Sequence, residues 1–185
     1  MKSIKLHSGL SLVGVVISMA LISGTIVVLL QNQSQLQILQ FETRYNSVGN
    51  MLASEGVEII RGIRDNNFQA TPRQDPNRSW DDNIEEGVYN VDYTTNNINQ
   101  AQTCQDSQFQ NSNIHNDCRL SHRNGFYQVF DDNPDDIPDV EIYRQVSIDS
   151  HNDYITVTSQ VKIVGARSEN VNTYTARSKL YNTDF

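Results

Sequence analysis

An apolar block, Leu10 to Leu30, constrains this chain more than any other feature. It holds 21 residues without a formal charge, and as a helix it would extend about 31 Å, close to the ~30 Å hydrocarbon core of a bilayer. No Asp, Glu, Lys or Arg occurs between Lys5 and Glu42. Both preceding cations, Lys2 and Lys5, lie on the N-terminal side, so the positive-inside rule puts the N-terminus in the cytoplasm and the rest outside. The block is longer than a secretory h-region, and the following Gln31-Asn32-Gln33-Ser34-Gln35 reads as more helix and not as a cleavage site. A plain signal anchor fits its length and orientation.

The rest of the chain is polar. Of 185 residues, 22 are Asp or Glu and 14 are Lys or Arg, a formal charge of −8 that counts against nonspecific binding to nucleic acid. Roughly 50 apolar residues remain for residues 31–185, enough for a thin core and not for a large enzyme with a deep pocket. Walker A, GxSxG and HExxH patterns are absent, as is GxGxxG after a strand. No enzymatic activity is expected.

Lys5-Leu6-His7-Ser8-Gly9 followed by Leu10-Ser11-Leu12-Val13 resembles the leader and cleavage site of type IV pilins and pseudopilins. The resemblance implies cutting by prepilin peptidase between Gly9 and Leu10 and methylation of the new N-terminus. Loss of both leader lysines would leave the mature chain more acidic by two charges. It further implies assembly with other pilins through the N-terminal helix, contact with an inner-membrane assembly platform and with lipid, and a pilus or cell-surface location after assembly. One position departs from the pattern. The family usually carries Glu at the fifth mature residue, which here is Gly14. A carboxylate in the bilayer costs about 2.5–3.5 kcal/mol, and the family is thought to retain it to neutralise a neighbouring subunit's N-terminal amine. Some tip-located pseudopilins also lack it, so a capping or low-copy subunit is one reading of Gly14 and a change that weakens assembly is another.

From Gln31 to about Arg64 there is no proline, and Phe41, Tyr45, Val48, Leu52, Ile59 and Ile63 recur at helical spacing. Gly49, Gly56 and Gly62 each weaken such a helix by up to ~1 kcal/mol, so packing has to hold it. Ser23-Gly24 is the expected soft spot of the apolar half. The stretch from Ala53 to Phe68 also looks like the end of the long helix of pilin-like proteins. The expected fold class is α+β, pilin-like, with a long N-terminal helix packed on an antiparallel sheet. Its segments are a leader at 1–9, a membrane or filament-core helix at 10–30, an amphipathic continuation at 31–65, and a polar outer domain at 66–185.

In the outer domain, residues 66–82 carry Pro72 and Pro76 and read as a loop, with Trp80 as a packing anchor. Val88 to Thr94 alternates as a half-buried strand, Tyr89, Val91 and Tyr93 on one side and Asn90 and Asp92 on the other. Cys104 and Cys118, in an exported domain, most simply form one disulfide; the alternative is zinc held by Cys104, His115, Cys118 and His122, whose spacing lacks the CxxC knuckle. This pair is internal, whereas many pilins place theirs near the C-terminus, so the family's receptor-binding loop is not carried over. Phe126 to Phe130 reads as a short strand. An acidic run follows with Asp131, Asp132, Asp135, Asp136 and Asp139. It reads as a solvated loop, with Ca²⁺ binding as the alternative, although the EF-hand glycine is missing. The last third predicts a three-strand antiparallel meander. Ile142, Val146 and Ile148, then Ile155, Val157, Val161 and Ile163, then Tyr174, Ala176 and Leu180 lie on one apolar face.

Overall fold

The structure is a computed structural model that describes residues 8–70, 79–104, 109, 116–123, 125–129, 140–165 and 171–182. A single helix, α1, runs from Ser8 to Ala70, 63 residues, without a break at Ser23-Gly24. It continues more than a turn beyond the expected end at residue 65.

The chain divides into two compact units at Arg44 and Tyr45. The first contains the N-terminal part of α1 and leaves its described large apolar side chains, among them Leu12, Ile22, Leu30 and Leu39, at least half exposed. The second contains the remainder of α1 and one seven-stranded sheet with antiparallel pairing throughout. Its strands are β1 (Gly87–Asn90), β2 (Gln102–Thr103), β3 (Arg119–Arg123), β4 (Phe126–Val129), β5 (Val140–Ser150), β6 (Tyr154–Gly165) and β7 (Val171–Tyr181). Together helix and sheet make an α+β fold.

β5 organises the sheet. On one side it pairs with β6 along its whole length, from Val140 opposite Gly165 to Ser150 opposite Ile155, and β6 in turn pairs with β7. Its other side is shared by two short hairpins. β1, carrying β2, lies against residues 146–148, and β3, carrying β4, lies against Ile142 and Tyr143. The sequence pattern reveals the long meander through its strict alternation. β3 escapes it because Arg119-Leu120-Ser121-His122-Arg123 contains one apolar residue.

The helix sits on the face formed by Ile142, Val146, Ile148, Ile155, Val157, Val161, Ile163 and Leu180. It contributes Leu52, Ala53, Val57, Ile60 and Ile63, all buried. Two members of the expected stripe behave differently: Phe41 is exposed, and Ile59 is only partly buried while Ile60 is fully enclosed. The contact line explains this shift. A Cβ at Gly49 would run into the Tyr174 ring, and one at Gly56 into the Ser159 side chain and, at 3.0 Å, Val146. These glycines, seven residues apart, sit where helix and sheet come closest, and the buried face is centred on them. Gly62 meets nothing within 4 Å.

The expected strand at 88–94 stops at Asn90. Asp92 Oδ1 accepts the Thr94 N–H at 2.9 Å and the Thr94 hydroxyl at 2.6 Å, while the Thr95 N–H bonds the Asp92 carbonyl at 2.9 Å. That side-chain turn ends the ladder. Val91, Asn90 and Asp92 are consequently all buried, and Tyr93 is turned out to solvent. Trp80 packs half-buried against the core and stacks on Phe68 at 6.5 Å; the Asn67 amide ties the same loop down by donating to the Trp80 and Asp82 carbonyls.

The two kinds of helix glycine predict opposite responses. Gly62→Ala, placed in open space, should raise thermal stability by up to ~1 kcal/mol. Gly56→Ala gains the same propensity but overpacks against Ser159 and Val146, at a cost of about 1–3 kcal/mol, and should lower it. Melting of both variants in detergent micelles, followed by circular dichroism, checks the signs.

Candidate functional site

Three features of the described residues are candidates for function. The first is the apolar part of α1, which is long and apolar enough to cross a membrane and has no buried residue along its most apolar stretch. Three of its hydroxyls are satisfied within the helix. The Ser18 hydroxyl donates to the Gly14 carbonyl at 2.8 Å, Ser23 to Met19 at 2.7 Å, and Thr25 to Leu21 at 2.8 Å. These three hydroxyls therefore present no unpaired donor to hydrocarbon. Gly9 and Leu10 fall in the first turn of α1, and nothing lies within 4 Å of a Cβ placed on Gly14.

The second feature is a buried cation that the sequence reading missed. Arg144 is enclosed completely, on the helix-facing side of β5 between Ile142 and Val146. Its guanidinium donates to the Val91 carbonyl and, at 3.4 Å, to the Leu52 carbonyl of α1. Glu55 Oε2 stands 3.6 Å away, and Nε has no partner among the described residues. Burial pushes the guanidinium below its ordinary value, while the charges of Glu55 and Asp92 pull it back up. The group joins α1, β5 and the turn after β1. Its sequence signal was available: positions 142, 144, 146 and 148 share one face of a strand, so Arg144 stands in the apolar register.

Asp92 faces this cation. Burial alone would raise its pKa, but hydrogen bonds from Thr94, Val129 and Thr95 outweigh burial and hold it below the ordinary 3.8. The Val129 N–H reaches Oδ2 at 3.0 Å, so Asp92 also fastens β4.

The third feature covers the opposite face of the sheet. Cys104 and Cys118 are joined in a disulfide with Cα atoms 5.3 Å apart. Both sulfurs that the zinc alternative required are thereby engaged, and His122 packs edge-on against Tyr127 at 5.1 Å. The disulfide forms a small second core with Phe109, Tyr143, Val88 and Val164. The Lys162 ammonium donates to the Phe109 carbonyl and lies 4.9 Å from the centre of its ring. Burial and the hydrogen bond to Glu141 Oε2 at 2.7 Å raise the Tyr143 phenol. Asn90 ties β1 to the residues flanking Cys118 by donating to the Asp117 and Arg119 carbonyls.

Asp131, Asp132, Asp135, Asp136 and Asp139, His115 and the leader residues 1–7 lie outside the described residues. Among the described residues no three His, Cys, Asp or Glu side chains converge as a metal site. A cavity bounded by Tyr45, Leu120, His122 and Tyr127 has about 20 Å³, room for one water and not for a substrate.

Two stability predictions follow from these contacts. Asp92 titrates lower when folded than its ordinary 3.8, so its contribution is complete above that value and is lost as pH falls through the folded-state pKa. Asp92→Asn should therefore flatten the acid limb of stability against pH below about 4, measured by urea unfolding across pH 2–6. Reduction of Cys104–Cys118 should cost about 3 kcal/mol by the chain-entropy model and expose Phe109, read as a fall in Tm and faster amide exchange at residues 88 and 164.

Searches against protein-family models, curated proteins and solved structures find no match to this chain.

Proposed function

We propose that the chain is a non-enzymatic subunit of the minor pilin or pseudopilin kind, belonging to a type IV pilus or a related secretion filament. The observation that carries this reading is the adjacency of Gly9-Leu10-Ser11-Leu12-Val13 to the first turn of an unbroken helix. Support also comes from the two characters of that helix, apolar and exposed before residue 31 and sheet-packed after residue 45. In this reading Lys2 and Lys5 keep the N-terminus in the cytoplasm, prepilin peptidase cuts between Gly9 and Leu10, and the outer unit folds outside the inner membrane. Assembly then buries Leu10 to Leu30 against like helices. In lipid that association is driven by side-chain packing, since hydrocarbon already removes the gain from excluding water. Ser18, Ser23 and Thr25, bonded to their own helix, demand no partner from a neighbour.

A second reading is favoured by one residue. With Gly14 where the family usually carries Glu, no carboxylate is present to receive a neighbour's N-terminal amine. The chain is then a signal-anchored extracytoplasmic binding module that does not polymerise.

Mass spectrometry of the N-terminal peptide, from membrane and sheared-surface fractions of cells with active peptidase, separates the two. The filament reading expects a peptide beginning at N-methylated Leu10, present in the sheared fraction. An intact Met1, or a processed chain confined to the membrane fraction, would leave the anchored module.

A further inference from the structure

The two edges of the sheet are unlike. On one side β5 carries short hairpins that end in β2, two residues, and β4, four residues. On the other side stands β7, eleven residues long, which among the described residues pairs only with β6. Short strands blunt an edge, whereas a long straight one offers a full ladder of N–H and C=O groups. β7 contains no proline, glycine or carboxylate.

Its side chains alternate cleanly. Tyr174, Ala176, Ser178 and Leu180 point to the helix face, where the Tyr174 hydroxyl donates to Asn46 Oδ1 at 2.5 Å and Arg61 donates to Ser178 Oγ at 3.3 Å. Thr173, Thr175, Arg177 and Lys179 face outward and are exposed. The outward row of β7 thus carries two cations. In the row through Lys179, Asp149 is the carboxylate, but it stands on β5 with Thr156 of β6 between. Lys179 is steadied by the Tyr154 ring, 4.5 Å from its ammonium. We propose that the free edge of β7 accepts, as an added antiparallel or parallel strand, an extended acidic segment of a partner protein, with carboxylates set beside Arg177 and Lys179.

Charge selects that occupant. Opposite charges in neighbouring cross-strand positions are stabilising and like charges are not. A second copy of β7 would bring the same two cations to the edge. The other edges of a second copy, Gln102–Thr103 and Phe126–Val129, bring no carboxylate. The cations therefore deter pairing of one β7 with another while favouring an acidic strand, and main-chain hydrogen bonds supply the rest of the affinity. This inference goes beyond the filament reading and holds equally for an anchored module.

The test uses the full chain in detergent micelles and two synthetic peptides of about ten residues, one alternating glutamate with valine and one alternating lysine with valine. Amide hydrogen exchange is followed residue by residue. With the glutamate peptide at about ten times its Kd, the β7 amides directed away from β6 should exchange about tenfold more slowly, while the lysine peptide leaves them unchanged. In the double variant Arg177→Glu, Lys179→Glu the preference should reverse, with protection of β6 retained as the sign of an intact sheet. Equal slowing by both peptides, or none by either, would overturn the proposal. Concentration-dependent protection of β7 without peptide would also overturn it, by showing a second copy at this edge.

Discussion

The close approach of α1 to the long meander is the contact on which the outer unit depends. At Gly49 and Gly56 the helix backbone comes within reach of the Tyr174 ring and the Ser159 side chain, with no Cβ between. Each glycine weakens a free helix by up to ~1 kcal/mol, and the contact it permits compensates through burial on both sides. Leu52, Ala53, Val57, Ile60 and Ile63 are then carried onto β5, β6 and β7. Larger side chains at the two glycines would lift the helix off the sheet and open that interface.

A thin core under so close a helix has to be kept in one arrangement, and polar groups contribute to this. Arg144 is held by carbonyls of α1 and of the turn after β1, with Glu55 and Asp92 as its countercharges. A buried ion pair of this kind is weak evidence for stability, because desolvation offsets most of the attraction; removing one partner, however, leaves a costly charge behind. Its effect is on register. Neither the helix nor the turn at residues 91–95 can slide along β5 without stranding the guanidinium. On the outward face the disulfide has a comparable effect, fixing Phe109 over Tyr143 and Val164.

Much of this was legible from the residues. The alternation of Ile142, Val146 and Ile148 and of Ile155, Val157, Val161 and Ile163 located β5 and β6, and the pairing of Cys104 with Cys118 was the simplest reading of two cysteines in an exported domain. Other features were not legible. Asp92 ended β1 early through side-chain bonds to Thr94, which compete with a strand at positions whose alternation looked sound. β3 carries too few apolar residues to stand out: Leu120 alone joins the apolar core, and pairing with β4 and β5 holds the rest of the strand. The register of β5 puts Arg144 on the apolar face, but a charge in an apolar pattern does not say which countercharge the fold will bring to it.

By itself the sequence determined the long apolar helix, its length against a bilayer, and the two-residue period of the meander, since all three depend on the order of side chains along the chain. Only the tertiary structure decided which glycines are contacts and which are slack. It also decided that the buried face centres on Ile60 and not Ile59, and that among the described residues β7 pairs on one side only while the opposite side closes in short hairpins. Those outcomes depend on which surfaces meet across long sequence separations, and periodicity along one strand or helix carries no information about its partner.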